Sequence, residues 1–174
     1  YSYCPARLER HIALLDGYTM ALGFSGVVAE KTGGAQALYN RASGLVSAIV
    51  ECWRQSTGGA EVYLADVLSR DPEAAQQLRD ILAQVQDGPF GAADLLGRLE
   101  HFVSENEEIV GPAGDALADG DLEMFGRLVD RSQTLTSDLL QNQVPQTVAL
   151  ATLAREAGAV AASAFGAGFG GSVW

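Results

Sequence analysis

The chain has 174 residues, of which 48% are hydrophobic, and it carries a formal net charge of −11. This excess of acid excludes the attraction to polyanions on which nucleic-acid and anionic-membrane binding depends. The hydrophobic share is sufficient for one packed domain, and the sequence has no run of about 18 apolar residues that could span a membrane. Cys4 and Cys52 lack motif spacing, so we expect free thiols and a cytoplasmic location.

The N-terminal part is predicted to be extended and the segment after it helical. Residues 1–4 are strand-like, Asp16-Gly17 is a turn signal, and residues 18–25 have strand composition before a glycine break at 32–34. A long helix is predicted over residues 35–55. Its apolar stripe at helical spacing consists of Leu38, Ala42, Leu45, Ile49 and Trp53.

The middle of the chain is predicted to be a series of helices. Asp71 is expected to cap one of them, Pro112 marks a break or a kink, and Pro145 fits the first position of the last one. The predicted helices cover residues 61–68, about 72–85, about 92–111, about 121–140 and 145–157.

Glycine is concentrated near the C-terminal end, between Ser163 and Ser172, a segment that we call the glycine loop. Two strands, 159–164 and 173–174, are predicted around it. The loop matches the spacing G-x-G-x-x-G of a dinucleotide site, but no helix and no acidic residue follow. A Walker A loop is excluded because Lys31 is the only lysine. A structured loop near a site and a hairpin that serves packing alone both remain open.

Other polar residues give weaker signals. His11 and His101 have no partner at zinc-ligand spacing, and Glu105, Glu107 and Glu108 are typical of a solvated helix face. We therefore predict no metal site and no catalytic residue within this segment. One early strand, a helix-rich middle and late strands together predict an α+β fold, a small antiparallel sheet with helices packed on one face.

Several separated segments together resemble the galactokinase branch of the GHMP kinases. The glycine loop is similar to that family's T-G-x-G-F-G-G-[CS] motif, and the order of the other segments also agrees. Those segments are Phe24–Val27, Tyr39–Arg41, His101–Asn106, Gly120–Leu128 and Ser132–Leu135.

The resemblance implies the C-terminal half of an ATP-dependent sugar kinase, truncated at both ends. Residues 1–15 would end the N-terminal domain, and residues 16–174 would form the GHMP-kinase C-terminal domain. The chain's own N-terminal domain would be its protein partner and would bind most of the ATP and Mg²⁺. Tyr39 would contact the sugar. The loop residues expected to support the phosphate region are Gly166, Gly168, Phe169, Gly170, Gly171 and Ser172.

Departures from the family pattern keep alternatives open. Phe165 replaces a threonine, Ser163-Ala164 replaces arginine followed by methionine or leucine, and Gln133 replaces a histidine. The sugar could be galactose or a relative such as a uronic acid or arabinose. A kinase for another small metabolite of the group, a non-catalytic sensor of sugar and nucleotide, and a purely structural helical module are the alternatives.

Overall fold

The computed structural model describes residues 6–29 and 36–174. Most of this part of the chain is helical, and the paired strands are short. The helices are α1 (Gln36–Thr57), α2 (Leu64–Arg70), α3 (Ala74–Leu82), α4 (Ala92–Val103), α5 (Val110–Asp119), α6 (Leu122–Leu135) and α7 (Pro145–Glu156). Strands β1 (Gly23–Phe24) and β2 (Ser172–Val173) pair antiparallel. The architecture is consistent with the predicted α+β class. Cys4 and the predicted break at 32–34 lie outside the described residues.

The main hydrophobic core lies between the first four helices. In α1, Leu45, Ile49 and Trp53 are buried as the apolar stripe predicts, whereas Leu38 is 46% exposed, which corrects that part of the prediction. Leu38 lies in the first turn of α1, and the buried residues of that helix begin at Leu45. The other buried members of this core are Val50, Leu64, Val67, Ala74, Leu78, Leu82, Leu95, Leu99 and Val103.

The start of α2 is set by its attachment to α1. Glu61 was predicted to begin this helix, but its carboxylate accepts a hydrogen bond from Trp53 Nε1 at 3.1 Å. Its carbonyl oxygen accepts another from Arg54 Nε at 2.7 Å. Because both ends of Glu61 are bound to α1, the helix begins three residues later, at Leu64.

Two π-helical segments interrupt the later helices. The first, Ser104–Ile109, connects α4 to α5, and the second, Thr136–Leu140, follows α6. Pro112 was expected to break or kink the chain, but the backbone departs from helical geometry at Ile109, with φ −115°. Pro112 itself fits the first turn of α5, where an amide N–H has no partner within its own helix.

The sheet is shorter than the sequence predicts. In place of strands at 18–25 and 159–164, pairing is limited to Gly23 with Val173, Phe24 with Ser172, and a bridge from Ala164 to Val173. Strand composition alone does not form a strand, because each strand needs a hydrogen-bonded neighbour. Residues 18–22 have no such neighbour within the described ranges.

Helix α7 covers one face of this sheet. Val173 is buried in a second, smaller cluster with Ala151 and Ala162. Ser172, on the opposite face, lies between Phe24 on one side and Phe165 on the other, and both phenylalanines are exposed. No helix in the described part of the chain is long and apolar enough to cross a membrane.

Candidate functional site

The glycine loop is closed at its base by backbone pairing. The Ser163 and Trp174 backbones exchange two hydrogen bonds, at 3.1 and 3.0 Å, and the Phe165 amide donates to the Ser172 carbonyl at 2.8 Å. On its outer side, the Gly171 amide donates to the Val27 carbonyl at 2.7 Å, and the Ser25 amide donates to the Gly171 carbonyl at 2.9 Å. The loop is therefore held on two sides and has a defined shape.

Gly168 and Gly170 are required by the backbone and by their neighbours. Their φ angles, +88° and +122°, lie in a region that side chains disfavour. A Cβ atom on Gly168 would overlap the Asn142 carbonyl oxygen, and one on Gly170 would lie 2.9 Å from the Val27 carbonyl oxygen. Substitution at either position would displace the loop.

Tyr39 reaches this loop from the first turns of α1. Its hydroxyl donates a hydrogen bond to the Gly168 carbonyl at 3.0 Å. Its ring meets that of Phe169 edge-on, with centroids 5.1 Å apart and an interplanar angle of 79°. The structure thus brings together the two features that the sequence singled out, which are 129 residues apart. Because its proton is engaged, Tyr39 can accept a hydrogen bond from a ligand but has no second proton to donate.

Asn142 is a part of the site that the sequence did not reveal. Its carbonyl oxygen accepts from the Phe169 amide at 2.5 Å, and its side-chain Nδ2 donates to the Ala167 carbonyl at 3.0 Å. The preceding Gln141 has φ +57°, which turns the chain as the second π-segment ends. The polar run Gln141-Asn142-Gln143 signals a connection between helices, but nothing in it signals contact with a loop 25 residues later.

A chain of neutral hydrogen bonds links Asn142 to the base of the loop. Gln133 Oε1 accepts from the Ala164 amide at 2.8 Å and from Ser163 Oγ at 3.0 Å. Gln133 Nε2 donates to Gln143 Oε1 at 3.4 Å, and Gln143 Nε2 donates to Asn142 Oδ1 at 3.0 Å. Ser163 and Gln133, two positions that depart from the family pattern, are therefore hydrogen-bonded to each other.

Buried Thr147 anchors this chain to α7. Its hydroxyl oxygen lies 2.9 Å from Gln143 Oε1 and 3.2 Å from the Val144 amide nitrogen, which donates to it. Thr147 is fully buried, so this link is shielded from competing water. The position of the loop thus depends on α6 and α7 as well as on its own glycines.

His101 does not contact the glycine loop, and its ring nitrogens have partners within the helices. Arg98 Nη1 donates to its Nδ1 at 3.0 Å, and its Nε2 lies 3.4 Å from Thr136 Oγ1. Burial, with a smaller contribution from the Arg98 charge, lowers the pKa of His101 to about 4. The ring is therefore neutral at pH 7, with Nδ1 as acceptor.

The acidic residues near His101 do not form a site. Glu107 is exposed, and Glu108 is exposed and pairs with Arg131, in agreement with the predicted solvated face. Glu105 differs, because its Oε1 is buried without a hydrogen-bond partner. Among the described residues, no three His, Cys, Asp or Glu side chains group so that they could hold a metal ion. These residues do not fit a Mg²⁺ site made by this chain alone.

A cleft of about 720 Å³ lies between the end of α6, the second π-segment and α7. Its lining includes the Arg155–Asp130 ion pair, whose Nη2 to Oδ2 distance is 2.9 Å, and Gln133 at its boundary with the hydrogen-bond chain. Neither Tyr39 nor any residue of positions 166–171 lines it. The cleft is therefore separate from loop positions 166–171, and Gln133 both lines the cleft and binds the base of the loop.

The fold is similar to that of a solved sugar kinase. The crystal structure of Lactococcus lactis galactokinase complexed with galactose matches with a TM-score of 0.65 and 23% sequence identity. The match covers 87% of this chain and 35% of that chain. The sequence matches no protein-family model and no curated protein. At this identity the likeness concerns the fold, and we conclude that the chain has a galactokinase-like fold.

Proposed function

We propose that this chain is the C-terminal part of an ATP-dependent sugar kinase. The full-length polypeptide would transfer the γ-phosphate of ATP to a sugar hydroxyl, the anomeric one of galactose or a related sugar. The observation that carries this proposal is the contact between Tyr39 and the glycine loop, within a galactokinase-like fold. Tyr39 and the loop are far apart in the sequence, yet the fold joins them through both a hydrogen bond and an aromatic contact.

The role that we assign to this chain is to position the sugar and the phosphate region. Phosphoryl transfer depends mainly on the alignment of the reactants and on stabilisation of charge on the transferred group. Tyr39 would accept a hydrogen bond from a sugar hydroxyl, since its own proton is bound to the Gly168 carbonyl. The loop residues Gly166 to Ser172 would support the phosphate region. Bound ATP and Mg²⁺ would supply the phosphoryl group and neutralise its charge, and we assign them mainly to the N-terminal domain.

The exposed face of the sheet fits the domain arrangement of this proposal. Phe24 and Phe165 are 62% and 58% exposed, and Met20 and Leu22, in the unpaired segment before β1, are exposed as well. Soluble proteins rarely leave such a patch uncovered. We assign this patch to contact with the N-terminal domain, and residues 1–15 would be the end of that domain. We propose a cytoplasmic location for the whole protein. Residues 16–174 would then be the C-terminal domain.

Release of ADP by the full-length polypeptide tests the proposal. The acceptors are galactose, galacturonate, arabinose, glucose and mevalonate, each with ATP and Mg²⁺, and a reaction without acceptor is the control. We expect turnover on galactose or a related sugar above the control rate. Binding of ATP without turnover on any acceptor would contradict the proposal and favour the sensor. Turnover on mevalonate alone would assign another member of the kinase group.

A further inference from the structure

Asn142 contacts three consecutive residues of the glycine loop. Its backbone carbonyl oxygen accepts from the Phe169 amide at 2.5 Å, and its side-chain Nδ2 donates to the Ala167 carbonyl at 3.0 Å. Between these two bonds, Gly168 packs so closely on Asn142 that a Cβ atom would overlap the Asn142 carbonyl. Asn142 is 5% exposed, so water does not compete for these bonds.

The side-chain amide of Asn142 has a defined orientation. Its Oδ1 accepts from Gln143 Nε2 at 3.0 Å, while its Nδ2 faces the Ala167 carbonyl. An amide satisfies both neighbours, since one end accepts and the other donates. A carboxylate of the same shape could replace only the acceptor, and it would place a negative charge against the Ala167 carbonyl oxygen.

Asn142 binds Ala167 and Phe169, and Tyr39 contacts the same stretch of the loop. The Tyr39 hydroxyl donates to the Gly168 carbonyl, and its ring meets Phe169. Phe169 itself has φ +60°, which is uncommon for a residue with a side chain and persists only where neighbours hold it. The Asn142 carbonyl, which binds the Phe169 amide, is one such neighbour.

We propose that Asn142 is a positioning residue, which acts through the glycine loop to hold the Gly168 carbonyl and the Phe169 ring against Tyr39. Its effect on the loop follows from the geometry alone, whereas its effect on sugar use rests on the function proposed above. Tyr39 is assigned to the sugar, whereas ATP is assigned mainly to the N-terminal domain and only its phosphate region to the loop, so loss of Asn142 should weaken sugar binding more than ATP binding.

Asn142→Asp in the full-length polypeptide tests this role. Gln146→Glu is the matched control, because Gln146 is an exposed amide four residues away and the same charge is introduced. Amide hydrogen exchange over residues 166–171 is measured for both variants against the unmodified protein. Loss of one buried hydrogen bond should accelerate exchange about tenfold at pH 7 in Asn142→Asp but not in the control.

The pH dependence provides a second readout that a general loss of packing would not produce. Burial beside a carbonyl oxygen raises the pKa of the introduced carboxyl group, and its protonated form can donate to the Ala167 carbonyl again. The exchange rate of Asn142→Asp, relative to Gln146→Glu at each pH, should therefore return towards one as the pH falls. If Asn142→Asp does not fold by circular dichroism, Asn142→Ser gives the same comparison at pH 7 without the charge.

Steady-state kinetics test the effect on the sugar. In Asn142→Asp we expect the sugar KM to rise about tenfold and the ATP KM to change less than about twofold, because the lost hydrogen bond holds the loop against Tyr39. Unchanged exchange in the loop, or equal rises in both KM values, would overturn the inference. Faster exchange in a polypeptide that phosphorylates no sugar would support the positioning of the loop and refute the proposed function.

Discussion

The neutral state of His101 links stability to pH at the scale of a single residue. Arg98 donates to Nδ1, which requires a lone pair there, and burial lowers the pKa to about 4 from an ordinary value near 6.5. Between these two pH values the unfolded chain binds a proton that the folded chain does not. The contribution of His101 to stability is therefore present above about pH 6.5 and is lost as the pH falls towards 4.

We predict that His101→Gln has a weaker dependence of stability on pH than the unmodified protein between pH 7 and pH 4.5. The difference should be about 2 kcal/mol, after allowance for partial solvent screening of the shift. Urea unfolding at the two pH values measures it. His11→Gln is the control, since His11 is exposed. Identical pH dependence in the unmodified protein and in His101→Gln would show that folding does not lower the pKa of His101.

The sequence predicted the residues of the site unevenly. Tyr39 and the glycines were found because each belongs to a recognisable motif, and glycines in such number indicate a constrained backbone. Asn142 was missed because its role depends on a contact across 25 residues that no local pattern encodes. In the sequence, Gln133 stands out only as a departure from the family pattern, and only the fold shows its hydrogen bonds to Ser163 and Ala164.

At the scale of elements, α6 packs unusually close to the segment after α7. Gly126, in the middle of α6, lies so near the Val160 carbonyl that a Cβ atom would overlap it. The Arg155 guanidinium also donates to the Ala159 carbonyl at 2.5 Å and forms two hydrogen bonds with Asp130 of α6, both at 2.9 Å. Helix α6 is thereby fixed against α7 and the chain that leads to the loop.

We predict that Gly126→Ala destabilises the protein by about 2 kcal/mol, because overlap with the backbone exceeds the gain of about 1 kcal/mol in helix propensity. Gly97→Ala in α4 is the matched control. The atom nearest to a Cβ there is Leu139 Cδ2 at 4.0 Å, an ordinary contact. We expect this variant to be stabilised by up to about 1 kcal/mol. Urea unfolding of both variants measures the change in the free energy of unfolding, which should be negative for Gly126→Ala and positive for Gly97→Ala. Equal changes in the two variants would refute the close packing at Gly126.

The helices could be predicted because their signals are local. Apolar periodicity located α1, Pro145 begins α7 as expected, and α6 begins next to Asp121 as expected. The predicted cap Asp71 is displaced, because α3 begins at Ala74 and the Asp71 carboxylate accepts from the Glu73 amide at 2.8 Å before the helix. The strands were predicted too long because pairing depends on distant partners. The two π-helical segments had no signal in the sequence. The second of them packs against α4, where His101 meets Thr136.

At the scale of the whole molecule, one face of the sheet is exposed and apolar. Phe24 and Phe165 lie on either side of Ser172 on this face, and Tyr18, Met20 and Leu22, in the unpaired segment before β1, are exposed as well. The opposite face is packed on α7. A partner that covers the exposed face would also contact the glycine loop, since Phe165 and Ser172 belong to that loop.

We predict that the isolated chain binds the hydrophobic dye ANS through this face. Leu22→Lys should reduce dye binding severalfold and leave the stability within about 0.5 kcal/mol, because the side chain is exposed. Leu153→Lys is the control, since Leu153 is similarly exposed on α7. In a full-length polypeptide, the same Leu22→Lys change should weaken the proposed contact with an N-terminal domain. Dye binding that Leu22→Lys leaves unchanged would place the apolar surface elsewhere.

The central claim is that the glycine loop and Tyr39 form part of a sugar-phosphorylating site. It is tested most directly by sugar-dependent ADP release from the full-length polypeptide and from its Gly168→Ala variant, with Gly97→Ala as the control. The account predicts turnover in the unmodified protein and in Gly97→Ala, and a loss of at least about tenfold in kcat/KM in a folded Gly168→Ala protein. A Gly168→Ala protein that is less stable but equally active would contradict the claim and assign the loop to packing alone.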